Sequence, residues 1–169
     1  MNITLFASIS LNGKVLLAEN PLHQVPNEMP GDFIQRAVAA GCMIIGRKTY
    51  EMIAQFPAML EMFKGVEIII ISSNENASTA YKVMANEAVA MAYIQQQQYD
   101  TVLIGGGTSI YNTFLQHQLV NTMVLNYVPV MSGTGGQLGD DPALFSTWRI
   151  TNQSTFPSGI TQITFVQEG

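Results

Sequence analysis

Apolar residues run almost without interruption through "ITLFASI" (3–9), "CMIIG" (42–46), "VEIIIIS" (66–72), "TVLIG" (101–105) and "TMVLNYVPV" (122–130). Runs of this kind, continuous rather than alternating, describe strands buried on both faces. Between them lie stretches with helical spacing, "DFIQRAVAA" (32–40), "TYEMIAQF" (49–56), "NEAVAMAYIQQQQ" (86–98) and "TSIYNTFLQHQL" (108–119). Ile110, Phe114 and Leu115 share one face of the last, as Phe33, Ala37 and Val38 do in the first. Strand and helix alternate, which predicts an α/β fold. The rhythm changes near the end of the chain. "WRITNQSTF" and "GITQITFVQ" are joined by Pro157, Ser158 and Gly159, the pattern of an antiparallel hairpin, so the expected sheet is mixed.

Length and composition fit this picture. A chain of 169 residues, 47% hydrophobic and 11% charged, suffices for one domain, 1–169, with a sheet covered by helices, and no Pro-, Gly- or Ser-rich linker divides it. No apolar run approaches a membrane span and no leader pattern opens the chain, so the expected location is the cytoplasm, with no membrane partner. A net charge of −5 with seven Lys and Arg argues against a nucleic-acid binder, which needs a basic face. One cysteine, Cys42, and two histidines, His23 and His117, are too few for a structural zinc site. The three prolines of "AENPLHQVPNEMPG" (18–31) suggest an excursion above the sheet, where His23 either touches a ligand or is simply exposed.

Two junctions raise a chemical question. In "LIGGGTSIY" (103–111) three glycines stand between a strand and the first turn of a helix. A helix start offers unpaired N–H groups and the positive end of its dipole, and glycines let an anion approach them; they also allow tight packing of helix on strand. "CMIIGRKTYEMI" (42–53) repeats the arrangement with Arg47, Lys48 and Thr49 at the turn. Two such turns suit a ligand with more than one phosphate. Ser72 and Ser73 end a neighbouring strand, and open α/β sheets bind ligands at the carboxyl ends of their strands. The dinucleotide fingerprint G-x-G-x-x-G fails here, because its third glycine falls on Ile110 and the triplet lies late in the chain, and no Walker A sequence occurs.

The ordered set "FASISLNGKV", "IIGRKTYE", "IIISS", "IGGGTSIYNTFL" and "VPVMSGTGG" resembles the dihydrofolate reductase-like superfamily, and within it the reductase domain of riboflavin biosynthesis. The resemblance implies a three-layer α/β/α fold with a mostly parallel sheet and an NADPH site. It places Ala7 beside the nicotinamide, Asn12, Gly13 and Lys14 in a covering loop, and Ser72 and Ser73 near the adenosine. Gly46, Arg47, Lys48, Thr49 and the run Ile104, Gly105, Gly106, Gly107, Thr108, Ser109, Ile110 and Tyr111 surround the phosphates, with Arg47 and Lys48 supplying charge for a 2′-phosphate. On this placement, Gly106→Val is expected to weaken NADPH binding while the fold survives.

For the substrate, the resemblance points to Asp32 as a group that polarises and binds it. Lys14 is the further candidate for polarising it, and Asn126, a polar residue in the middle of an apolar strand that needs a partner if buried, is the further candidate for binding it. Asp32 has a second reading, as N-cap of a helix beginning at Phe33. Family folate enzymes carry an arginine before the third strand; Val66 stands in that place here, with Lys64 nearby. The implied activity is reduction of a 5-amino-6-(5-phosphoribosylamino)uracil or a related small heterocyclic or sugar-phosphate substrate, in a possible homodimer. A true dihydrofolate reductase and a non-catalytic nucleotide-binding protein are the alternatives.

Overall fold

The continuous apolar runs become strands covered on both sides. The computed structural model describes residues 1–16, 26, 28–74 and 81–169, so His23 and most of the proline-rich segment lie outside the described residues. In chain order the elements are β1 (Asn2–Ile9), α1 (Glu28–Ala40), β2 (Cys42–Gly46), α2 (Arg47–Ala54), α3 (Pro57–Met62), β3 (Glu67–Ile71), β4 (Lys82–Met84), α4 (Glu87–Gln96), β5 (Thr101–Ile104), α5 (Thr108–Gln116), β6 (Thr122–Tyr127), β7 (Trp148–Thr155) and β8 (Thr161–Gln167). The sheet has eight strands in the order β4-β3-β2-β5-β1-β6-β8-β7. Pairing from β4 to β6 is parallel, and β8 pairs antiparallel with both β6 and β7. The mixed, mostly parallel sheet with its C-terminal hairpin is the one the sequence predicts.

Alternation along each strand divides the core into two layers. Leu5, Ala7, Ile44, Ile69 and Ile104 face α4 and α5, which add Ile94, Ile110 and Phe114. Phe6, Met43, Ile45, Ile70 and Leu103 face α1 and α2, which add Ile34, Ala37 and Ile53. The three layers follow directly. Val38, expected on the inner face of its helix, is instead half exposed, and Ile34 takes the buried position with Ala37.

Three boundaries differ from expectation, each for a local reason. α1 begins at Glu28 rather than Phe33, because Pro30 fits the first turn, where its missing N–H has no partner to lose. Asp32 is therefore inside the helix, and the N-cap reading is corrected. The helix expected over 49–56 starts two residues earlier, ends at Ala54, and is followed by α3, which Pro57 restarts at its first turn. β4 has only three residues, too short for a periodicity to register.

Candidate functional site

Because β2, β3 and β5 are parallel neighbours, their carboxyl ends lie on one edge of the sheet, with Gly46 beside Ile71 and Ile44 beside Ile104. The turns that leave these strands therefore converge. Gly46 N–H donates to the Gly106 carbonyl at 2.6 Å, tying the two glycine turns together. Around them is a cavity of about 510 Å³ lined by Gly46, Arg47, Lys48, Thr49, Ile71, Ser72, Ser73, Gly107, Thr108, Ser109 and Ile110. Two helices start at its wall. α2 has Gly46 as N-cap and α5 has Gly107, and neither receives a side-chain cap. Two uncapped N-termini leave N–H donors and positive dipole ends at one place.

The side chains around this cavity have the same character. Arg47 Nε lies 2.7 Å from Glu51 Oε1, both half exposed, so part of its charge is locally balanced. Lys48 also lines the cavity and forms no ion pair among the described residues. The Thr108 hydroxyl is buried and has no hydrogen-bond partner among the described residues, although buried hydroxyls are nearly always paired. A donor set of N–H groups, hydroxyls and cations with an orphaned hydroxyl among them suits an oxyanion with several oxygens, such as a pyrophosphate.

The three glycines serve different ends. A Cβ on Gly105 would lie 2.7 Å from the Phe33 ring and 3.1 Å from Ile45 Cγ2, so this glycine is there for packing of α1 on the sheet. Gly106 has φ +127, and a Cβ would meet Thr49 Oγ1 and the Tyr111 hydroxyl at 3.3 Å. Valine there would strain the backbone whatever the ligand, which corrects the expectation that the fold tolerates Gly106→Val. Of the three, only at Gly107, which lines the cavity, does a Cβ find ordinary space, 3.7 Å from Thr49 Oγ1. The Gly106–Gly107 peptide is cis.

Next to this cavity, sharing Thr49 with it, lies a second one of about 150 Å³ lined by Phe6, Ser8, Phe33, Met52, Tyr111 and other largely apolar groups. Tyr111 is buried; its hydroxyl donates to the Phe6 carbonyl at 2.6 Å, and burial pushes its pKa well above the ordinary tyrosine range. An open groove between α1, α2 and α3 continues outward past Pro30, Met52 and Met59 to Phe56 and Met62. Among the described residues Lys48 is the only cation on the wall of this groove, and Val66 is buried in the core.

Behind the smaller cavity is a polar network. Arg36 Nε donates to Asp32 Oδ2 at 3.0 Å and Arg36 Nη2 to Gln162 Oε1 at 2.9 Å. Gln162 Nε2 donates to Asp32 Oδ2 at 2.7 Å and to Asn126 Oδ1 at 2.8 Å, and Asn126 Nδ2 reaches Ser8 Oγ at 3.5 Å. Asp32 and Asn126 thus belong to one network, though neither lines either cavity.

The remaining predicted residues sit around these features. Ala7 and Ile104 point into the core on the α5 side. Asn12 accepts from Ser132 N–H and donates to its carbonyl, joining the 10–14 turn to the loop after β6. Gly13 has φ +78, and a Cβ on it would collide with Gln137. Lys14 pairs through its backbone with Gln137 in an isolated antiparallel β-bridge and lines neither cavity. Sequence reading overlooked Ser8, Arg36 and Gln162. Strand alternation was the available signal: it places Ser8 with Phe6 and opposite Ala7, and Gln162 is the polar break in "GITQITF".

Comparison with known proteins bears on the family and the fold. The family model described as dihydrofolate reductase matches residues 3–158. No curated protein matches the sequence. Among solved structures, a putative riboflavin biosynthesis protein from Shewanella sp. PV-4 superposes with a TM-score of 0.75 at 17% identity, covering 100% of both chains. A pyrimidine reductase-like protein from Corynebacterium diphtheriae gives 0.78 at 13% identity, covering 99% of this chain and 92% of that one. Dihydrofolate reductase from Enterococcus faecalis, complexed with NADP(H) and RAB-propyl, gives 0.75 at 14% identity, covering 99% of this chain and 97% of that one.

Proposed function

The chain belongs to the dihydrofolate reductase family, and we propose that within it the protein is an NADPH-dependent reductase of the riboflavin-biosynthesis type, acting on 5-amino-6-(5-phosphoribosylamino)uracil or a related small heterocyclic or sugar-phosphate substrate. The observation that supports this most is the convergence of two uncapped helix starts, Arg47, Lys48, Ser72, Ser73 and the unpartnered Thr108 hydroxyl on one cavity.

In this reading Gly107, Thr108 and Ser109 hold a pyrophosphate by N–H and hydroxyl groups, and Arg47 and Lys48 recognise a further phosphate. NADPH, when bound, supplies the hydride. The chain's part is orientation and exclusion of water. Phe6, Phe33 and Met52 make the adjoining cavity apolar, and the Tyr111 hydrogen bond to the Phe6 carbonyl fixes the wall between β1 and α5. Two reactants held in neighbouring chambers of one cleft gain the advantage of proximity.

Lys48 at the outer groove is the observation that keeps dihydrofolate as a second substrate, since a cation there can meet a carboxylate. One experiment decides. NADPH oxidation is followed with the ribosylaminouracil phosphate and with dihydrofolate, after NADPH affinity is measured by fluorescence. Turnover of the uracil compound is expected; turnover of dihydrofolate alone replaces the substrate. NADPH affinity without turnover of either leaves a nucleotide-binding role, and absence of NADPH affinity overturns the reading.

A further inference from the structure

The network behind the smaller cavity has a direction, and Arg36 sets it. A guanidinium only donates. Because Arg36 Nη2 donates to Gln162 Oε1, the Gln162 oxygen faces Arg36 and its NH₂ group faces Asp32 Oδ2 and Asn126 Oδ1. Reversing the amide would set NH₂ against the guanidinium and oxygen against two other oxygens, in a side chain that is 4% exposed. Asn126, fully buried, then has its oxygen committed to Gln162 and its NH₂ turned toward Ser8 Oγ. Ser8 receives on one side and lines the cavity on the other, so its own proton is available there.

We propose that Ser8 presents a hydrogen-bond donor to the substrate, so that the pocket selects a ring carbonyl or another acceptor at the β1–β6 seam and rejects an amino group there. Asp32, the nearby acceptor that would suit an amino group, already takes Arg36 and Gln162 on one oxygen and does not line the cavity. Ser8, Asn126 and Gln162 come from β1, β6 and β8, and Arg36 from α1, so four elements cooperate in fixing one proton. This rests on the reading of the smaller cavity as the substrate chamber of a reductase.

The test uses the full chain saturated with NADPH and two rings of similar size, uracil and 2,4-diaminopyrimidine, with affinity measured by calorimetry. Uracil is expected to bind about tenfold or more tightly than the diamine, because a site built for one hydrogen-bond polarity leaves groups unpaired with the other. Ser8→Ala is expected to abolish the preference while leaving NADPH affinity unchanged. Asn126→Asp, which makes Ser8 donate inward and accept from the cavity, is expected to shift the preference toward the diamine. Equal affinity for the two rings, tighter binding of the diamine, affinity for neither, or an unchanged preference in Ser8→Ala overturns the proposal. Ser8→Ala removes only one oxygen, so the test stands even where Asn126→Asp fails to fold. Loss of NADPH binding by the unmodified chain would instead overturn the reductase reading itself.

Discussion

Gly105 and Gly107 are two residues apart and their alanine variants separate structure from binding. At Gly105 a methyl group would lie 2.7 Å and 2.8 Å from two atoms of the Phe33 ring, which α1 and the sheet hold in place. Gly105→Ala is expected to lower stability by about 1–3 kcal/mol, the range for overpacked cores, with Phe33→Leu in the same chain recovering part of it. Gly107→Ala meets only ordinary contact and has φ −80, so its melting temperature should stay near that of the parent. Gly107 lines the cavity proposed to hold the cofactor, and NADPH affinity is expected to fall about tenfold or more, since N–H groups there would give charge-assisted bonds. Thermal melts and NADPH titrations of the two variants check both halves; unchanged affinity in a folded Gly107→Ala chain would remove the cavity from consideration as the cofactor site. In the sequence the triplet was visible, but the division of labour was not. It depends on Phe33 and Thr49, which reach the glycines from other elements.

At the scale of elements, the parallel strands were legible because both faces are buried and their runs are continuous. The β7–β8 hairpin was legible from its turn residues. α3 and β4 were not, being six and three residues long and set by Pro57 and by pairing with β3 rather than by an internal period. The convergence of α2 and α5 followed from strand-turn-helix order alone, whereas the polar network did not, because Ser8, Asn126 and Gln162 are brought together only by the order β1-β6-β8 and Arg36 reaches Gln162 from α1. The start of α2 gives an element-scale prediction. Its N-terminal dipole acts on any phosphate, but Arg47 and Lys48 add full charges that NADPH meets with one phosphate more than NADH. The double variant Arg47→Ala, Lys48→Ala is expected to weaken NADPH about tenfold or more and NADH far less, with a shallower salt dependence for NADPH. Calorimetry at two ionic strengths checks this; equal losses for both dinucleotides would mean that the pair does not read the extra phosphate.

Across the whole molecule, the layer between the sheet and α4 and α5 holds two buried ionisable groups among the described residues, Cys42 and Tyr111, that must stay protonated. Cys42, fully buried at the start of β2, has its thiol pushed from 9.0 up to about 12, chiefly by burial and further by the Glu67 carboxylate. Tyr111, in the same layer, is raised from 10.0 by burial. In both, the folded chain keeps a proton that the unfolded chain gives up. Their contribution to stability is therefore complete below about pH 8 and is lost as pH rises, first through the unfolded thiol's range and then through that of tyrosine. Above the unfolded pKa each group can remove up to about 1.4 kcal/mol per pH unit until its folded pKa is reached. The melting temperature should fall between about pH 8 and about pH 11, and Cys42→Ala should fall less steeply over the first part of that range. A flat profile, or one as steep in Cys42→Ala as in the parent, would mean that water reaches the thiol and that the α4–α5 layer is looser than its packing indicates.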